Sequence, residues 1–287
     1  MRLASTAAEL PERPRDGARA IVMTMGALHE GHLTLVRRAR ELGAQVIVTI
    51  FVNPLQFNDP ADLERYPRTL EADCALLEAE GVDAVFAPSV EEMYPGGDPV
   101  VTVSAGAIGE VFEGAHRPGH FDGVLTVVLK LMHLTSPDVA LFGAKDAQQV
   151  IAVRAMVRDL AVPVRVEAVP TVRDPDGLAL SSRNVHLSRA DREAALALPR
   201  ALAAAAAAAR NGDPAADVVR TGTNVLTEAT RASAKFAVDY FAALDPRTAQ
   251  QVPDDHRGEA VIAVAATVGG TRLIDNMTVL IDPEGSP

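Results

Sequence analysis

The sequence predicts an α/β fold: a doubly wound parallel sheet, followed by a second, smaller α+β domain. Three observations carry this. Apolar runs of strand length alternate with helical patterns up to about residue 169. Two of these runs, Ala20-Ile21-Val22-Met23 and Val139-Ala140-Leu141-Phe142, lead through Gly-containing turns into helices. From Pro170 the pattern changes to an alanine-rich helix, a second helix and three short strands. The expected division is therefore 1–169, the domain of the parallel sheet, and 170–287, the smaller α+β domain.

Residues 1–19 are polar and read as a peripheral start. The first strand ends at Met25-Gly26-Ala27-Leu28-His29-Glu30-Gly31-His32, and Leu33-Thr34-Leu35-Val36 continues as a helix. A helix start offers N–H donors and a positive dipole end. Glycine lets the backbone approach a ligand, and imidazoles can bond phosphoryl oxygens. The turn thus reads as an anion site. His-x-x-His is also a metal spacing, but Gly31 interrupts the helix that a zincin pattern needs, and no cysteine is near. Ordinary turn residues are the third reading.

The run Gln45-Val46-Ile47-Val48-Thr49-Ile50-Phe51 is a second buried strand, with Asn53 and Gln56 in the turn after it. A helix is expected over 66–80, closed by Gly81, with Leu70, Cys74 and Leu77 on one face. Strands are expected at 84–87 and 100–103. A loop containing His116, Arg117 and His120 suits either an anion contact or a basic surface, and an apolar helix follows it. After the strand at 139–142 come Gly143-Ala144-Lys145-Asp146 and a helix opening with Gln148 and Gln149; Lys145 is a point charge placed for phosphate. The 25–32 and 143–146 turns are expected to open on one crevice.

In the second part, Leu180-Ser181-Ser182-Arg183 offers two hydroxyls and a guanidinium, which suit a phosphate clamp. Ser188, with Asp191 three residues on, caps a long helix that runs through the alanines to Asn211-Gly212. A second helix runs from Pro214 to about Ala232, and strands are expected at 236–243, 259–268 and 272–280.

Composition bounds the function. The chain has 287 residues, 48% of them hydrophobic and only 4% aromatic, so its core is aliphatic. A net charge of −11 disfavours nucleic acid as a partner. A local cluster of Lys, Arg and His can still make a positive pocket. The single cysteine excludes an internal disulfide framework and fits a reducing cytosol. Cys74 reads as a structural thiol. No apolar run reaches membrane-spanning length and the start lacks a signal-peptide core, so a cytoplasmic chain with no membrane partner is expected.

Six motifs in order resemble the pantothenate synthetase (pantoate–β-alanine ligase) family. They are Thr24-Met25-Gly26-Ala27-Leu28-His29-Glu30-Gly31-His32, Phe51-Val52-Asn53-Pro54-Leu55-Gln56-Phe57, Tyr66-Pro67-Arg68-Thr69-Leu70, Arg117-Pro118-Gly119-His120-Phe121, Gly143-Ala144-Lys145-Asp146 with Gln148-Gln149, and Leu180-Ser181-Ser182-Arg183-Asn184. The resemblance implies a Rossmann-like fold of the class I synthetase type and a homodimer. It implies condensation of pantoate with β-alanine through a pantoyl adenylate, with ATP as co-substrate and Mg²⁺ on its phosphates. His32, His29 and Lys145 would be catalytic. Met25, Gly26, Ala27, Leu28, Glu30 and Gly31, with Gly143, Ala144, Asp146, Val172, Leu180, Ser181, Ser182 and Arg183, would bind ATP. Gln56 and Gln149 would bind pantoate. No protein metal ligand is assigned; Asp73 is only a contact to examine. Two departures stand out: Met23 replaces a common Pro, and Ala144 replaces an acidic or amide residue beside Lys145. The alternative is a nucleotidylyltransferase acting on another small acceptor, since the His-x-Gly-His turn alone does not separate the two.

Overall fold

The computed structural model describes residues 1–281, and the chain separates into two compact units. The first comprises Met1–Gly143 and Ala152–Pro170; the second comprises Ala144–Ile151 and the chain from Thr171 onward. A short segment after Gly143 therefore clusters with the later part of the chain, which a single cut at 169/170 does not separate.

The first unit is a six-stranded parallel sheet in the order β1-β4-β3-β2-β5-β6. Its strands are β1 (Arg2–Ala4), β2 (Arg19–Thr24), β3 (Gln45–Ile50), β4 (Ala84–Phe86), β5 (Val139–Gly143) and β6 (Arg165–Val169). Strands β2 to β5 are buried almost throughout, as a sheet covered on both faces requires. Chain order reverses between β2 and β5, which pair directly at Ala20–Val139 and Val22–Leu141. In such sheets ligands collect beyond the carboxyl ends at the reversal. Helices α1 (Glu30–Glu41), α2 (Leu70–Ala79), α3 (His120–Thr135) and α4 (Ala147–Asp159) connect the strands. Among them α1 buries Leu33, Leu35, Val36 and Ala39.

Four expectations for the first unit are corrected. Arg2–Ala4 is not peripheral but pairs in parallel with Ala84–Phe86 as the sheet edge. No strand forms over 100–103: Val100 and Val101 are 100% and 85% exposed, and β-propensity without a partner strand does not make a strand. Helix α2 begins at Leu70 and not at Tyr66, because Pro67 disfavours helical geometry in the residue before it. Its buried residues are Asp73 and Leu77, one turn apart, while Leu70 is exposed.

The second unit pairs helices with an antiparallel sheet, β7 (Phe236–Leu244), β8 (Gly258–Val268) and β9 (Thr271–Ile281), in that order. The alanine-rich stretch is two helices, α5 (Arg189–Ala195) and α6 (Ala197–Arg210), and not one. Pro199 has no N–H to return to Ala195, so the ladder breaks at Leu196. Ser188 caps α5, accepting the Asp191 N–H at 3.2 Å. The alanines let α6 lie close to α7 (Ala215–Ala232) and β9, in a core with Leu198, Leu202, Leu226, Ile262 and Val264. No helix among the described residues is long and apolar enough to cross a membrane.

Candidate active site

In the first unit, the turn between β2 and α1 brings two histidines together. Gly26 has φ +85°, and a Cβ there would lie 3.0 Å from Asp73 Oδ2 and 3.2 Å from Ile50, so conformation and space both require glycine. Ala27 follows at φ +51°, a strained position for a residue with a side chain. Asp73, 2% exposed, holds it there. Its carboxylate accepts Ala27 N–H at 3.0 Å, Leu28 N–H at 2.9 Å and the Thr69 hydroxyl at 3.1 Å.

His29 is the N-cap of α1, and its Nδ1 accepts the Gly31 N–H at 3.1 Å. His32 Nδ1 accepts the His29 N–H at 3.3 Å, with the two ring centroids 4.2 Å apart. A ring nitrogen that accepts carries no hydrogen, so each neutral imidazole has its proton on Nε2 as a donor. This modifies the expectation of a backbone cradle. The amides of Ala27, Leu28, His29 and Gly31 already bond within the protein.

Gln56 is tied to the same turn, its Nε2 lying 3.2 Å from Met25 Sδ. It sits on a single 3₁₀ turn, Pro54–Gln56, capped by Asn53. Asn53 is 1% exposed and every side-chain polar atom is used. Its Nδ2 donates to Gln56 Oε1 and to the Gly123 carbonyl, both at 3.1 Å, and its Oδ1 accepts the Tyr94 hydroxyl at 2.9 Å. These bonds fix which end of the Gln56 amide is oxygen. Burial pushes the Tyr94 phenol up to about 12, with Asp98 adding to it.

The Gln56 carbonyl lies 2.9 Å from His120 Nδ1. A carbonyl only accepts, so that nitrogen carries the hydrogen, and His120 Nε2 accepts from Arg117 at 2.9 Å. Arg117 and His120 therefore brace the Gln56 backbone. His116 remains exposed. A Cβ on Gly123 would lie 2.3 Å from the Leu55 carbonyl, so only glycine lets α3 pack this close to the Gln56 turn. Burial raises the Cys74 thiol, with Asp73 adding to it, which fits a structural cysteine.

In the second unit, Lys145 stands in the turn before α4, with Nζ 3.8 Å from Asp146 Oδ1. Gln149 is half-buried in the first turn of α4. The Asn276 side chain donates to the carbonyls of Ala144 at 2.9 Å and Lys145 at 2.7 Å. The neighbouring Asp275 makes a bidentate pair with Arg173, at 2.7 and 2.9 Å. Arg173 follows Val172, whose carbonyl accepts the Leu180 N–H at 2.9 Å. Ser181 caps the 3₁₀ turn Ser182–His186, and Ser182 and Arg183 are exposed on it. That turn packs on β9, the strand carrying Asn276.

The donor set bears on the Mg²⁺ that the resemblance implies. Among the described residues, no three His, Cys, Asp or Glu side chains form a metal-binding group. Asp73 engages both oxygens with backbone and Thr69. These residues fit an Mg²⁺ carried on phosphates with its own waters, not one held in a protein cage.

The pantoate–β-alanine ligase family model matches residues 2–278. The chain belongs to that family. A pantothenate synthetase of Thermobifida fusca is 57% identical over 92% of this chain and 90% of its own. The crystal structure of the Thermus thermophilus pantothenate synthetase superposes with a TM-score of 0.88 at 49% identity, covering 99% of this chain and 100% of that one. A pantoate–β-alanine ligase from Francisella tularensis, solved with beta-gamma ATP and β-alanine, gives 0.73 at 32% identity, covering 96% and 97%. Within this ligase fold, residue reading missed Tyr94, Gly123 and Asn276. It noticed Asp73 without finding its bonds to the turn. Each of these acts through a partner distant in sequence.

Proposed function

We propose that the chain condenses (R)-pantoate with β-alanine in two steps, using ATP. In the first, a pantoate carboxylate oxygen attacks the α-phosphorus, and the bond to the β-phosphate oxygen breaks, releasing pyrophosphate. No proton need be removed, because the nucleophile is already an anion. The protein's task is alignment and stabilisation of phosphoryl charge. In the second, the β-alanine amine attacks the adenylate carbonyl, AMP leaves with the bonding electrons, and the nitrogen loses a proton.

His29 and His32 donate from Nε2 to ATP phosphate oxygens, and Lys145 binds the departing phosphates. Ser181, Ser182 and Arg183 close over them, and Gly143, Asp146, Val172 and Leu180 hold the adenosine. Gln56 and Gln149 bind pantoate oxygens without adding charge. Mg²⁺, riding on the phosphates, supplies charge neutralisation. Residues 170–287 act as a lid that keeps water from the mixed anhydride. On the family resemblance the chain works as a homodimer, and its single cysteine supports assignment to the cytoplasm.

The observation that carries this reading is the pair of imidazoles at the start of α1, with ring centroids 4.2 Å apart and each Nδ1 accepting a backbone N–H, which puts the ring proton of both neutral imidazoles on Nε2. The Ala144 departure does not weaken it, because the Lys145 turn is held through its carbonyls and not through the side chain at 144. Purified protein with ATP, Mg²⁺ and pantoate should exchange labelled pyrophosphate into ATP, and added β-alanine should yield pantothenate and AMP. Folded protein showing no pantoate-dependent exchange would refute the first step.

A further inference from the structure

We propose that Asn276 is a positioning residue for adenylation, acting through the turn that carries Lys145. The inference rests on the reading of Lys145 as a phosphate contact.

Nothing in the local pattern of β9 marks Asn276. It alternates with Asp275 on a strand whose buried phase also contains Leu273, Val279 and Ile281, and it pairs with Ala263 in the register of β8. Yet its amide uses both hydrogens on two successive carbonyls, Ala144 at 2.9 Å and Lys145 at 2.7 Å. A trans peptide is planar, with its C=O and N–H pointing opposite ways. Drawing these two carbonyls toward Asn276 therefore aims the N–H groups of Lys145 and Asp146 away from it. Helix α4 starts directly after them, at Ala147. One side chain thus sets two amide directions and the base of the Lys145 side chain.

Asn276 is itself held. Its N–H donates to Asp275 Oδ1 at 2.8 Å, and Asp275 is locked by the bidentate Arg173 pair. Arg173 also reaches the Gly177 carbonyl at 3.1 Å, in the hairpin that presents Val172 and Leu180. A single strand therefore braces two segments assigned to ATP. An amide is required at 276. A carboxylate of the same shape has no hydrogen to give and sets two anionic oxygens against two carbonyls.

The test is pyrophosphate exchange and single-turnover adenylation with Asn276→Ala, Asn276→Asp, Asn276→Ser and Lys145→Ala, each with a melting curve. Asn276→Ala should slow adenylation about ten- to a hundredfold and leave the KM for pantoate within about twofold. Asn276→Asp should be at least as slow, and Asn276→Ser, with one donor, intermediate. The double variant Asn276→Ala/Lys145→Ala should fall below Lys145→Ala by much less than the loss that Asn276→Ala causes alone, because the side chain Asn276 positions is already gone and only the backbone of the turn is left to misplace. Wild-type rates in Asn276→Ala beside a crippled Lys145→Ala would overturn the inference while leaving the role of Lys145 standing. Losses that multiply in the double variant would also overturn it, by showing that Asn276 acts through general stability. A Lys145→Ala variant with normal ATP use would overturn the underlying reading of Lys145.

Discussion

At residues 25–32 a carboxylate, Asp73, accepts two backbone N–H groups; at residues 143–146 an amide, Asn276, donates to two backbone carbonyls. Both turns follow a parallel strand and open a helix. The difference decides what each can offer a ligand. Capturing N–H groups removes them from any anion, so the first turn depends on imidazole side chains. Capturing carbonyls fixes the backbone that carries Lys145 without taking an N–H, so on the proposed reading the second turn depends on the placement of Lys145. The supports also differ in charge. Asp73 is a buried anion that needs its donors, whereas Asn276 is neutral and can be replaced at less cost to folding.

The largest expected effect tests the first half of that contrast. His32→Ala should slow adenylation by about 10²–10³-fold with little change in melting temperature, because a preorganised donor to developing charge is lost. A loss of less than about fivefold in single-turnover assays would show that the backbone amides serve the anion after all, and the distinction between the turns would fall.

Asp73→Ala comes next and should act on stability as well as rate. It strands the Ala27 and Leu28 amides and releases a residue at φ +51°. Each orphaned group costs roughly 1–3 kcal/mol, so denaturant midpoints should drop clearly, while the Mg²⁺ concentration for half-maximal activity should hardly move. A stable variant with a raised Mg²⁺ requirement would instead identify Asp73 as a metal ligand.

Gly123→Ala probes the other wall of the first unit. The new Cβ collides with the Leu55 carbonyl and must push the Gln56 turn away from α3. The KM for pantoate should rise about tenfold, and stability should fall by about 1–3 kcal/mol. Unchanged pantoate kinetics would separate Gln56 from the position of α3.

Much of this architecture was legible in the residues, and the illegible part has a common cause. Apolar runs at 20–23, 45–51 and 139–142 announced the central strands because a sheet covered on both faces leaves few polar positions. The His29 and Lys145 turns stood out because Gly and charged residues interrupt apolar sequence. Asp73, Asn276, Tyr94 and Gly123 did not, since an acid on a helix, an amide on a strand, a phenol in a loop and a glycine in a helix are locally unremarkable. Their meaning lies in partners between 41 and 132 residues away. Val100 and Val101 show the converse error, where strong local preference had no neighbouring strand to satisfy it.

The smallest effect expected is a pH dependence of the Asn53–Gln56 brace. Tyr94 is 3% exposed, donates to Asn53 Oδ1, and has its phenol pushed up to about 12 from an ordinary 10. A folded-state value above the unfolded one means that the folded chain favours the protonated phenol. Its contribution is therefore complete below about pH 10 and is lost as pH rises toward 12. That rise corresponds to roughly 3 kcal/mol. Near neutrality, Tyr94→Phe should cost only about 1 kcal/mol, the worth of one hydrogen bond. Between pH 10 and 12 the gap between the two proteins should close and then reverse, because phenylalanine has no proton to lose. Above that window a phenolate would face the Asn53 amide oxygen, loosening the grip on Gln56. Ultraviolet titration of tyrosinate, alongside denaturant melts of both proteins across this range, measures the effect. Parallel pH–stability curves would show that Tyr94 does not titrate against the Asn53–Gln56 brace.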